Sequence, residues 1–117
     1  MPVSESFRTF ILDQLGRVVP RVRAKSMFGG VGIYGGDLFF ALIADDTLYF
    51  KVDDATRADF VARGMGPFRP YGPDGEEMGY YQVPEDLIED LEALRPWAEQ
   101  AIAVAGRKKR KGRRASS

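Results

Sequence analysis

Apolar residues near the start of the chain recur at intervals of three and four: Phe7, Phe10, Ile11, Leu15 and Val18. That spacing puts them on one stripe of a helix, with Ser4 as the N-cap oxygen and Pro20 as the stop, and predicts a helix over residues 4–18. From Lys25 the period changes. β-Branched and aromatic residues run on to Val52, punctuated by Gly35-Gly36-Asp37 and by Asp45-Asp46, both of which suit hairpin connections. The pattern predicts an antiparallel meander with strands over residues 26–34, 38–44 and 47–52. In the last of these Leu48, Phe50 and Val52 alternate with Tyr49 and Lys51, as in a strand with one buried face.

Asp53 opens a second, short helix that runs to about Arg63 and ends at Gly64. Residues 64–79 are rich in Gly and Pro, with Phe68 and Tyr71 as expected anchors, and Met78 to Val83 predicts one more strand. Pro84-Glu85-Asp86 then starts a long helical pattern. Leu87, Ile88, Leu91, Leu94, Trp97, Ala98, Ala101, Ile102 and Ala105 share one stripe. Pro96 inside that pattern predicts a kink or two abutting helices. Gly106 is the expected end of the folded part. The order α-β-β-β-α-β-α defines an α+β class, a single domain over residues 1–105 followed by a disordered basic arm over 106–117.

Composition refines this picture at two points. The 117 residues suffice for one modest core. With no Cys and no His, thiolate nucleophiles, disulfides, imidazole bases and zinc-thiolate sites are all excluded. The formal net charge of zero is a sum of opposites. Arg107, Lys108, Lys109, Arg110, Lys111, Arg113 and Arg114 give the last eleven positions seven positive charges, while residues 1–106 hold ten basic and seventeen acidic residues, a net of −7. No run of about twenty apolar residues and no signal-peptide pattern occurs, so a cytoplasmic protein without membrane contact is expected.

Candidate chemistry is sparse. Gly30-Val31-Gly32-Ile33-Tyr34-Gly35 fits G-x-G-x-x-G literally, but a dinucleotide fingerprint needs a helix N-terminus after the glycines, and here strand sequence follows. A bend in a strand is the better reading. The acidic pairs Asp45-Asp46, Asp53-Asp54 and Glu85-Asp86 lack the alternation of a calcium loop and read as turns and helix caps. Neither a cofactor nor a metal is expected. Lys51, flanked by apolar neighbours, and the Tyr80-Tyr81 pair are the residues from which a pocket beside the glycine-rich strand could be built. The arginine- and lysine-rich arm has the electrostatics of a nonspecific nucleic-acid contact, without aromatic residues for base stacking. It serves equally as a solvated arm that folds back on its own acidic body.

Met27-Phe28-Gly29-Gly30-Val31-Gly32-Ile33-Tyr34, then Leu48-Tyr49-Phe50-Lys51-Val52-Asp53, Phe60, Pro67-Phe68, Met78-Gly79-Tyr80-Tyr81 and Pro84-Glu85 follow one another at spacings that resemble the N-terminal domain of the TfoX/Sxy family. The resemblance covers about residues 7–105. It implies an α+β fold with an antiparallel sheet, reminiscent of secretion chaperones, and a bacterial regulator of competence genes acting with the cyclic-AMP receptor protein. It attaches no enzyme activity to the domain. The second, helical domain of the full-length regulators has no counterpart in this sequence, and the basic arm stands in its place. Met27, Phe28, Gly29, Gly30, Gly32, Tyr34, Lys51 and Tyr81 are family-motif positions with a structural role as the default.

Two functional expectations follow. The first is a non-enzymatic regulatory or adaptor domain that works through protein contacts, with the transcription machinery as the partner and the arm adding nucleic-acid affinity. The second is a small-molecule-binding protein or enzyme with its pocket around the glycine-rich strand, Lys51 and Tyr80/Tyr81. A homodimer through a sheet edge or the terminal helix is compatible with either.

Overall fold

The computed structural model describes residues 4–27, 29–70 and 79–116, with side chains as far as Lys108. Helix α1 (Glu5–Val18) leads into strands β1 (Val22–Met27), β2 (Gly30–Gly35), β3 (Leu38–Ala44) and β4 (Thr47–Lys51). Helix α2 (Asp54–Ala62), strand β5 (Tyr80–Gln82), the short α3 (Glu85–Ile88) and the long α4 (Leu91–Ser116) complete the chain. The five strands form one antiparallel sheet in the order β1-β2-β3-β4-β5. The α+β class expected from the sequence is the class observed.

The start signals of α1 and α2 are realised by identifiable contacts. Ser4 accepts the Phe7 amide at 3.3 Å, and Asp53 forms a capping box with Thr56. The β3–β4 turn places Asp45 and Asp46 both near φ 52°, a two-residue hairpin conformation that aspartate tolerates better than most residues. Asp46 then accepts the Ser4 amide at 2.7 Å, tying this turn to the start of α1. Asp45-Asp46 and Asp53 do serve as turn and cap; at Glu85-Asp86 no side chain caps α3, and Asp86 pairs with Arg63 instead.

Three boundaries differ from the sequence reading. The single strand expected over 26–34 is a hairpin: Met27 pairs with Gly30, and Gly29 turns the chain at φ 76°. Toward the core, strand β1 offers only the half-buried Val22 and Ala24, set between exposed Arg23 and Lys25, too weak an alternation to stand out. The second difference lies at the C-terminal helix. The break falls at Glu89-Asp90, where the Asp90 carboxylate receives the Ala93 amide and its carbonyl the Leu94 amide. Pro96 sits inside α4 without ending it; one missing amide costs less than the packing of the apolar stripe returns. The third is Gly106, which does not stop the helix. The backbone stays helical to Ser116. Tyr71 and Met78, expected as an anchor and a strand start, lie outside the described residues.

The core lies between α1, α4 and one face of the sheet. Ile11, Leu15 and Val18 of α1 and Leu94, Ala98 and Ala101 of α4 meet Ile33, Phe40, Ile43, Leu48 and Phe50, all buried. Phe60 of α2 closes one end against Trp97, ring edge to face at 4.8 Å. Among the described residues no buried side-chain polar atom lacks a partner, which is the expected state of a well-formed core.

Candidate functional site

Strand alternation sends every second side chain away from the helices. On that outer face the register sets Arg23 beside Tyr34, Tyr34 beside Phe39, and Lys51 beside Tyr80. The result is a ladder across all five strands. The Arg23 guanidinium lies 5.2 Å from the Tyr34 ring centre, Tyr34 stacks on Phe39 at 5.1 Å, and Phe39 meets Tyr80 at 5.7 Å. Lys51 Nζ stands 4.6 Å from the Tyr80 ring centre and donates to its hydroxyl at 3.2 Å. A cation therefore caps each end of a three-ring stack. The ring faces are spent on one another, so the ladder is no open platform for stacking bases.

Glycine makes this face possible. A Cβ at Gly30 would run into the backbone carbonyl of Ile43, and one at Gly32 would sit 2.5 Å from the end of Met27 and 3.4 Å from Phe39. Met27 thus lies over Gly32. Gly30 to Gly35 form β2 itself and lead through a turn into β3, so the dinucleotide reading has no helix to rest on. Phe28 lies outside the described residues.

The electrostatics follow from burial. Burial, and then the charge of Lys108, push the Lys51 ammonium below its ordinary pKa. Burial pushes the Tyr80 phenol up to about 12, with Tyr34 adding to the effect. Tyr49, which packs on Phe68 at 5.0 Å, is likewise raised, by burial and then by Asp45. Asp53 goes the other way: its hydrogen bond from Arg107, with that from the Thr56 amide, holds its carboxyl down to about 2.

Two hollows open on or beside this face. One, of about 280 Å³, is lined by Asp37, Leu38, Phe39, Lys51, Ala105 and Lys108. The other, of about 180 Å³, is lined by Gly29, Gly30, Ala44, Asp45, Tyr49, Phe68, Arg69 and Pro70. Lys51 and Tyr80 come together as the sequence suggested, but Tyr81 does not join them. Its ring is turned into the core, 6.2 Å from that of Phe60. Phe39 was not named from the sequence, and Lys108 was named only as part of the basic arm; the hairpin register and the continuation of α4 bring both to the hollow beside Lys51. Of the basic arm, Arg107 pairs with Asp53 at 2.8 Å and Lys108 lines the larger hollow. Lys109, Arg110, Lys111, Arg113 and Arg114 are placed by backbone alone on the last turns of α4.

Among the described residues no group of three metal-ligating side chains occurs, and no helix is long and apolar enough to cross a membrane. What the fold and the outer face define is a small α+β domain with one sheet face packed by helices and the other closed by an aromatic ladder. The model of the TfoX N-terminal domain matches residues 13–105, and the chain belongs to that family. Among curated proteins, none matches the chain.

Proposed function

We propose that this chain is a cytoplasmic, non-enzymatic regulatory adaptor that acts in transcription through protein contacts, with the basic end of α4 adding nonspecific affinity for nucleic acid. The family match over residues 13–105 carries the reading. The charge division supports the second half of it: seven basic residues follow an acidic body, on backbone that stays helical. Each phosphate such residues neutralise releases counterions and steepens the dependence on salt.

Retrieval of partners from the native cytoplasm, with and without nuclease, tests the adaptor role; a protein partner retained after nuclease is the expected result. DNA affinity across a salt series tests the helix. Replacing Lys109, Arg110, Lys111, Arg113 and Arg114 together with Gln is expected to flatten the log–log salt slope by up to about 4.5. Equal, negligible binding by both chains refutes the nucleic-acid half. The hollow beside Lys51 favours a second reading, a domain that binds a small ligand.

A further inference from the structure

The larger hollow joins three parts of the chain distant in sequence: the start of β3, the end of β4, and α4 just past Val104. Lys51 and Lys108 line it together, and the charge of Lys108 is near enough to act on that of Lys51. The described ion pairs engage Arg17, Arg57, Arg63 and Arg107; among the described residues neither lysine takes part in one. Lys51 is half-buried and is held in place by the Tyr80 hydroxyl at 3.2 Å. Tyr80 supplies no countercharge, because its phenol keeps its proton to about 12. Two cations thus share a partly apolar recess with one carboxylate, Asp37, and burial and the charge of Lys108 act against the charge on Lys51, an effect that a bound anion would relieve.

We propose that this hollow binds a small phosphate monoester, its dianionic head between the Lys51 and Lys108 ammonium groups and its apolar part against Leu38, Phe39 and Ala105. The proposal rests on the ligand-binding reading and is independent of any affinity of the terminal helix for DNA. Asp37 also lines the recess and disfavours an anion of single charge. A dianion meeting two ammonium groups outweighs that carboxylate, and lysine is a common point-charge partner of phosphate. Phe39 offers an edge only, since Tyr34 and Tyr80 take its faces. An apolar group of modest size therefore fits better than a stacked base.

The charged groups that line the recess are Lys51 from β4, Lys108 from α4 and Asp37 from the β2–β3 turn, and Tyr80 of β5 holds Lys51 from outside the lining. The ligand's second ionisation, near pH 6, sets the acid limit of binding.

Phenyl phosphate is the probe, with inorganic phosphate, benzoate and a short duplex DNA compared against it on the isotope-labelled full-length chain. Phenyl phosphate is expected to move the amide resonances of Leu38, Phe39, Lys51 and Ala105 saturably at millimolar concentration, with inorganic phosphate weaker and benzoate weaker still. Lys51→Gln and Lys108→Gln should each weaken binding by at least about tenfold, while Arg23→Gln, at the other end of the ladder, leaves it unchanged. Lys108 is exposed, so its variant stays readable even where Lys51→Gln disturbs folding. Benzoate binding as tightly as phenyl phosphate overturns the phosphate assignment while leaving a ligand site. No saturable shift with any small anion overturns both. Shifts at these amides from DNA alone assign the recess to a nucleic-acid phosphate and overturn the small-molecule proposal.

Discussion

At Gly30 and Gly32 two adjacent outer-face positions ask the same thing of a residue for different reasons. Beyond Gly30 lies the Ile43 carbonyl, part of the sheet's own backbone; beyond Gly32 lies the flexible end of Met27. Gly30→Ala is therefore expected to cost at least about 3 kcal/mol, the upper end of ordinary overpacking, and Gly32→Ala about 1 kcal/mol because a thioether can move aside. Chemical denaturation of the pair checks the ranking, and equal losses would contradict it. Tyr80 supplies a prediction of another kind. Its folded pKa of about 12 lies above the value of a free phenol. The associated stability is fully present below about pH 10 and is lost as pH rises through 12. Tyr80→Phe should flatten the alkaline limb of a stability–pH profile, and an unchanged limb would contradict the assignment. Asp53 works at the acid end. Its depressed pKa contributes stability above about pH 4 that falls away as pH drops toward 2. Asp53→Ala should remove that acid-side slope together with about 1 kcal/mol of helix capping.

Elements were legible where one periodicity and one punctuation mark agreed. Helix α1 combined a clear apolar stripe with Ser4, and β3 and β4 were bounded by Gly36-Asp37 and Asp45-Asp46, so their ends stand where the residues place them. Strand β1 was not legible, because its buried face is only Val22 and Ala24 and Arg23 and Lys25 mark it as polar. The sheet's edge is set by pairing to β2, a fact of register and not of composition. The same limitation hid the candidate site. Lys51 and Tyr80 could be named from their surroundings, but Phe39 reaches the ladder through a register shift between Ile33 and Tyr34, which no local pattern announces. Tyr80 and Tyr81 are separated by one residue and hence by the whole thickness of the sheet. On the core side, Phe50→Ala removes a fully buried ring from the layer beneath α4 and should cost about 3–5 kcal/mol, read as a lower midpoint of denaturation.

For the molecule as a whole, neutrality conceals an acidic body and a basic end joined by one helix. Arg107 makes the first link between them through Asp53, and Lys108 faces the recess beside Lys51. Helix α4 spans 26 residues, about 39 Å at the usual rise of about 1.5 Å per residue. Its first part is fixed by the core, and the backbone beyond Gly106 continues without a break. Such an arrangement has a rotational phase as well as a reach. One residue inserted after Gly106 would leave the charge and the core untouched, yet would turn everything beyond it by about 100° about the helix axis. A flexible arm would be indifferent to that insertion; a continuous helix that meets its partner alongside the body would lose its alignment, and a second insertion pattern completing a full turn would restore it.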